Sequence, residues 1–544
     1  MTEVRDKINL KMKHISATEF LFDSDVRTAV KSLAKGKSDG NLGIYSDHII
    51  HGTELLISYL TKLLNSMLVH GYSPSQMLVG TIIPLVKNRR ASVNNSDNFR
   101  GICLQSSICK LLDFIILSKE EKCLQTSDLQ FGFKPKLSAS LAASVVTETT
   151  DYYLCHGGFV YSMALDAAKA FDRVHFCKLF DCLLDKDMNP IYIRMLLNMY
   201  IKQNVRVRYN QSYSNYFSIS NGVKQGGVLS PTLFSLYING LLEELQKSGY
   251  GCRVGDAYTG CVSYADDLKL LSPTLHGLRQ MVKICEKYAN NYFIKFNGPK
   301  CKLLVYRRNS DNFLPKVQIG GEYVETVQSL VYLGHHLNGN RNNSSTEGIA
   351  IDFNRKVNSF LGDFGKLSSL LKNKLFATYC TSFYGSHLCD MHSLDRFDIL
   401  WRKAIRRIWG LPPRAHSSLL YYICGLLPPK IMFFIRFIKF FTNALGSENT
   451  VVNFIFNSAL RSNTRMGRNF RHIMFKANLD YRRVVNVNEI CQTVIKNWKA
   501  GFTTDSVLHT SHQILELIQK RDSFEPWILN NNDINNIILW LSTS

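Results

Sequence analysis

The stretch SYADDLKLL, Ser263 to Leu271, sets two adjacent carboxylates between two short apolar runs. GCVSYA and LKLL, rich in Val, Leu and Tyr, predict two buried strands, so Asp266 and Asp267 fall at a hairpin tip. Neighbouring carboxylates repel and are costly to strip of water, which points to a cation that neutralises them, and hard oxygen ligands suit magnesium. Asp is also a good turn former, and a plain hairpin turn is the competing reading. A second carboxylate elsewhere has to decide.

That carboxylate stands in VYSMALDAAKAFDRV. Val160 to Leu165 alternates as a strand does, Asp166 closes it, and AAKAFDRV predicts the start of a helix, so Asp166 projects from a strand end. It could be a ligand or a helix N-cap. Asp172 reads as a structural or solvated charge. Further on, NGVKQGGVLSP carries Gly222, Gly226 and Gly227, which let backbone approach a ligand closely, and Ser230-Pro231 opens a long helix.

The rest of the chain bounds the class. With 544 residues, 45% hydrophobic and 11% aromatic, about three domains with real cores are expected and general disorder is excluded. No uninterrupted apolar run is long enough for a membrane span, since the window from Ile431 to Phe441 is broken by Arg436 and Lys439 and predicts a buried or amphipathic helix. The charged start MTEVRDKINLKMKH has no apolar signal core, so secretion is not expected. Fourteen Cys without a CxxC pair predict reduced thiols and no zinc. A net charge of +22 calls for a polyanionic partner, nucleic acid first. Residues 351–544 hold 25 basic and 13 acidic side chains, so much of that excess lies in the last third.

Residues 15 to 75 predict packing helices, and Gly36-Lys37-Ser38 is no P-loop, because Lys31 stands where the motif needs Gly. TIIPLVK, residues 81 to 87, predicts a strand, followed by a polar loop and then Phe99-Arg100-Gly101-Ile102. Lys87 and Arg100 on such a unit could clamp a triphosphate, or be solvated loop charges.

Five ordered motifs, strand-Asp166, GVKQGGVLSP, YADD, Asn297-Gly-Pro-Lys300 and Tyr332-Leu333-Gly334, together resemble the palm of reverse transcriptases from LINE-type (non-LTR) retrotransposons, nearest to CR1-like and related lineages. The likeness covers roughly residues 15 to 440 and includes IIPLVK, NFRGICL, QFGFKPK, FYGSH and WRKAIRRIWGLPPRAH. Gly101 departs from it, since the family usually has Pro there. Full-length LINE proteins carry an endonuclease before this region, for which there is no room here, so a truncated element or a fragment is expected.

The resemblance implies an α+β right hand: fingers, a palm with an antiparallel sheet, and a helical thumb, followed by a mainly helical C-terminal region. The expected divisions are an N-terminal helical extension at 1–75, fingers and palm at 76–340, thumb and connection at 341–450, and a basic region at 451–544. It implies two magnesium ions, with manganese a possible substitute, held by Asp166, Asp266, Asp267 and the carbonyl of Ala167. Phe171 would exclude the ribose 2′-hydroxyl, although a core aromatic is the alternative. Lys87, Arg100, Gln225 and Gly226 would line the nucleotide. Lys300 would act as general acid on pyrophosphate. Tyr332, Leu333 and Gly334 would form the primer grip. The implied partners are template RNA, primer or target DNA and dNTPs, with no membrane, in cytoplasm and nucleus.

Charge density, independently of the family, singles out Arg461, Arg465, Arg468, Arg471, Lys476, Arg482 and Arg483, interleaved with aromatics, as nucleic-acid contacts or as a solvated helix face. Three functions stay open: an RNA-directed DNA polymerase, an inactive nucleic-acid-binding remnant, and an RNA-templated RNA polymerase. The last usually has Gly before the paired Asp, where Ala265 stands here.

Overall fold

A computed structural model describes residues 1–13, 21–40, 43–307, 315–339, 346–413, 417, 420–480 and 486–503. Arg482 and Arg483 therefore lie outside the described residues, as does the polar tail after Asp505.

The strand Val160–Leu165 is the centre of a five-stranded sheet ordered Glu325–Val327, Lys302–Tyr306, Val160–Leu165, Asp267–Ser272, Cys261–Tyr264. Its two neighbours run antiparallel to it, in a register that sets Leu268 opposite Leu165 and Leu303 opposite Met163. The sheet departs from the expected all-antiparallel palm at one edge, where Glu325–Val327 pairs in parallel with Lys302–Tyr306. Such a pair needs a crossover connection, and the short hairpin Gln318–Ile319 with Glu322–Tyr323 lies on it. The helices Leu275–Asn291 and Ala139–Cys155 pack on this sheet, so its central strands are apolar along most of their length.

A second sheet is made of Phe99–Leu104, Val79–Val86, Asn204–Tyr209 and Ser212–Tyr213, with Phe217–Ser218 also paired to Asn204–Tyr209. The helix Glu54–His70 ends on Gly71 at φ +61°, a left-handed cap that glycine adopts without steric cost. The N-terminal helix Thr2–Met12 lies against Phe176–Asp185 and Pro190–Ile201, with ion pairs from Lys7 to Asp181 and from Lys11 to Asp187.

The helices Thr346–Phe364, Ser369–Tyr379 and Asp395–Trp409, where the thumb is expected, pack on one another around Phe353, Phe376 and Trp401. Pro429–Leu445 is a buried helix with its apolar residues facing Thr450–Arg461 and its neighbours. Among the described residues no helix is long and apolar enough to cross a membrane. The last helices fold back onto the front of the molecule: the Asp128 carboxylate accepts from the amide and hydroxyl of Thr450 at 2.9 and 2.6 Å, and Thr450–Arg461 packs on Ala139–Cys155.

Candidate active site

Strands Cys261–Tyr264 and Asp267–Ser272 make the hairpin, with Asp267 paired to Tyr264 and Ala265-Asp266 as its two-residue tip. Ala265 has φ +58°, a left-handed conformation that costs an L-residue about 1–2 kcal/mol. The fold compensates through the QFGFKPK segment. Phe131 N–H donates to Ser263 O at 2.8 Å and Ser263 N–H to Leu129 O at 2.9 Å, so Gln130 runs beside the hairpin. Its buried side chain accepts from Ala265 N at 3.0 Å and donates to Ser263 Oγ at 3.0 Å. Gly132 is required there, because a Cβ would lie 2.3 Å from Ala265 N. Neither residue was singled out from the sequence; a Gly between two Phe was the available signal.

Asp166 ends the neighbouring strand, beside the hairpin carboxylates. The segment after it is a correction: AAKAFDRV is not a helix but a turn followed by the short 3₁₀ helix Phe171–Arg173. Its backbone is claimed by distant partners. Ala168 N–H donates to Lys295 O, Asn297 N–H to Asp166 O, Gly222 N–H to Val174 O and Val223 N–H to Phe171 O, all at 2.8 Å, while Lys169 turns left-handed at φ +51°. The two bonds flanking Ala167 use Asp166 O and Ala168 N, so neither engages the Ala167 carbonyl. The same ladder brings the Asn297–Lys300 motif alongside, with Lys300 Nζ 3.8 Å from Asp166 Oδ2.

The carboxyls feel one another. Burial raises Asp266 above the usual carboxylate range, with Asp166 adding to the rise while Arg100 opposes it. Asp267, which keeps an edge open to water, is pushed up to about 6, first by desolvation and then by Asp266 and Asp166. Surplus negative charge on hard oxygen donors fits a divalent cation. Among the described residues no group of three or more His, Cys, Asp or Glu side chains is arranged to hold a metal ion by itself.

The cationic side is less open than expected. Lys87 Nζ donates to Asp97 O at 3.0 Å, and the Asp97 carboxylate pairs with Lys169 at 2.8 Å. Lys169 holds Asp97 below the usual carboxylate range, helped by Lys87 and Lys300. Three lysines thus converge on one exposed acid, and Lys169 joins the basic residues already named. Phe171 is half-buried, stacked on Phe234 with centroids 4.7 Å apart and edge-on to Phe133 at 6.2 Å.

The glycine loop is tightly packed. Gly222 has φ +94° with its Cβ position 3.0 Å from Asp172 Cα, and Gly226 has φ +101° with its Cβ position 3.1 Å from Ile102. Both lie close against protein, which locks the loop between the Asp166 turn and the strand Phe99–Leu104. Gln225 O accepts from Cys103 N at 2.7 Å, and Gln225 Nε2 donates to Asp172 Oδ1 at 3.0 Å. Asp172 therefore orients Gln225 and is more than a solvated charge.

Strands Ser329–Tyr332 and His335–Asn338 form a separate hairpin whose turn is Leu333-Gly334, at φ +49° and +77°. Two positive φ values define a type I′ turn. Tyr332 is buried, with Lys269 Nζ 5.4 Å from its ring centre. Lys269 itself is fully buried two residues from Asp267, and burial lowers it to about 7.

The C-terminal arginines are engaged by their own backbone. Arg468 donates to Asn463 O at 2.7 Å, Arg471 to Leu460 O at 3.2 Å and Ser462 O at 3.0 Å, and Arg465 to Leu388 O at 3.3 Å. Arg461 and Lys476 are exposed.

Paired acids at a hairpin tip, a third at the adjacent strand end, and a lysine beside it define a polymerase palm. Residues 87–337 match the family described as reverse transcriptase (RNA-dependent DNA polymerase). That stretch is just under half of the chain, and the relatives it resembles come from retrotransposable and mobile elements, in line with the LINE-type resemblance. Similar proteins are the Retrovirus-related Pol polyprotein from type-2 retrotransposable element R2DM of Drosophila melanogaster, 26% identical over 44% of this chain and 23% of that protein, and the RNA-directed DNA polymerase from mobile element jockey. The jockey protein of Drosophila melanogaster is 24% identical over 65% of this chain and 40% of its own length; that of Drosophila funebris is 24% identical over 75% and 46%. The chain thus spans less than half the length of these relatives. A solved telomerase from Candida albicans aligns at 12% identity and TM-score 0.36 over 86% of this chain and 68% of its own, a likeness too slight to build on.

Proposed function

We propose that this chain is an RNA-directed DNA polymerase that extends a primer 3′-hydroxyl with dNTPs on an RNA template. The observation that supports it is that Asp166 ends the strand paired with the Asp266-Asp267 hairpin, with Lys300 3.8 Å from Asp166. Asp166 and Asp266 would hold two magnesium ions, with Asp267 and the Ala167 carbonyl beside them. Bound magnesium supplies the Lewis acidity that makes the 3′-hydroxyl a nucleophile and offsets charge on pyrophosphate.

The chain's own residues do the rest. Lys87, Arg100 and Lys169 bind the triphosphate, with Asp97 yielding its place to the phosphates. Gln225, fixed by Asp172, lines the nucleotide, and Phe171 closes the space a 2′-hydroxyl would need. Lys300 Nζ holds a proton for the leaving pyrophosphate. Tyr332 to Gly334 seat the primer end. The divisions at 75, 340 and 450 describe extension, fingers and palm, thumb, and C-terminal region. Template RNA and primer DNA place the work inside the cell, in cytoplasm and nucleus.

Primer extension on oligo(dT)-primed poly(rA) with magnesium tests this. Incorporation of dTTP well above UTP is expected. Preference for UTP would instead make it an RNA polymerase, and no incorporation with retained binding would make it a remnant.

A further inference from the structure

The segment FYGSH, Phe383 to His387, has no part in the mechanism above, yet it grips the turn that would hold the primer. Tyr384 Oη donates to Leu333 O at 3.1 Å. The Tyr384 ring stacks on His335, the residue after the turn, with centroids 4.5 Å apart and planes at 20°. The fit is close on both sides. A Cβ on Gly334 would lie 3.1 Å from Tyr384 Cε1, and one on Gly385, at φ +82°, would lie 2.8 Å from His335 Nδ1.

Leu333 at positive φ is a strained residue, and such a conformation persists where the surroundings over-determine it. The bond from Tyr384 to the Leu333 carbonyl is one such determinant. The ring is about half exposed, so its placement answers to the turn more than to burial. Phe383, next in sequence, is buried in the thumb core, packed on Phe353 at 5.2 Å and on Phe433 at 5.0 Å. One dipeptide therefore joins the thumb interior to the turn.

We propose that Tyr384 is a positioning residue: it fixes the Leu333-Gly334 turn to the thumb, so that the thumb's seating on the duplex sets the position of the primer 3′-hydroxyl. This rests on reading Tyr332 to Gly334 as the primer grip. Reaction rates respond steeply to such placement, with an error of about 1 Å costing on the order of a hundredfold.

Tyr384→Phe keeps the ring and removes the hydroxyl, and Tyr384→Ala removes both. Single-turnover dTTP addition to oligo(dT)-primed poly(rA) is measured, with active-site titration giving the rate per active molecule. Tyr384→Phe is expected to slow addition at least about fivefold and Tyr384→Ala further, with dTTP affinity and primer–template Kd within about twofold of wild type. A merely structural role would lower the number of active molecules and leave their rate unchanged. Wild-type rate per active molecule in Tyr384→Phe, or a loss confined to that number, overturns the proposal while leaving the polymerase reading intact. A wild-type protein that adds no nucleotide overturns both.

Discussion

Gln130 Oε1 accepts the amide proton of Ala265 at 3.0 Å, across 135 residues of chain, and so holds the tip of the aspartate hairpin from the fingers side. Removing it leaves a buried amide without a partner, a defect of about 1–3 kcal/mol, at a residue whose backbone is already strained. Gln130→Ala should lower the unfolding free energy in urea by about that amount and slow primer extension at least about tenfold. Unchanged stability and rate would show that the hairpin holds itself.

Asp166→Asn or Asp266→Asn should abolish extension and leave RNA binding nearly intact, because the charge is lost and the groove is kept. Loss of metal stabilisation should exceed ~1.4 kcal/mol, a factor of ten. Either variant working at more than about a tenth of the wild-type rate sinks the assignment.

Phe171 lies between Phe133 and Phe234, where its ring could serve as a gate or as packing. Phe171→Val should raise the ratio of ribonucleotide to deoxynucleotide incorporation on the same template. An unchanged ratio would assign the ring to the core.

Glu148, in the helix Ala139–Cys155, is buried and pushed up to about 7 from an ordinary 4.5, chiefly by desolvation, with Thr464 partly offsetting it. Since the folded form holds this proton more tightly, the stability it contributes is complete below about pH 4.5 and is lost as pH rises through 7. The loss is about 3 kcal/mol at most. Glu148→Gln should remove that part of the slope and stabilise the protein at pH 8 but not at pH 4.5. Urea unfolding at both pH values checks it; parallel pH profiles would refute it.

The C-terminal basic residues are best tested by substitution and not by truncation, since the helices that carry them are part of the core. Arg461→Gln with Lys476→Gln should flatten the slope of log affinity against log salt for template binding by about 0.7–0.9 for each phosphate that the variant no longer neutralises. A full slope in the double variant would leave the template to the palm and thumb.

Much was legible locally. The alternation of Val160 to Leu165 and the apolar runs around Asp266 and Asp267 each describe an element through neighbours two to four residues away, and the structure forms each one. The order of motifs carried the domain's identity, because chemistry of this kind needs those residue types wherever the chain brings them. AAKAFDRV shows where that reading stops: its composition suits a helix, but its amides and carbonyls are taken by residues 222–223 and 295–297. The same holds for Gly222 and Gly226, whose missing side chains make room for protein, and for Arg468 and Arg471, whose charges hold nearby carbonyls. Gln130 on Ala265 and Tyr384 on Leu333 leave no periodic trace at all. Each is a single bond between remote segments, and only the closed chain decides which donors and acceptors meet.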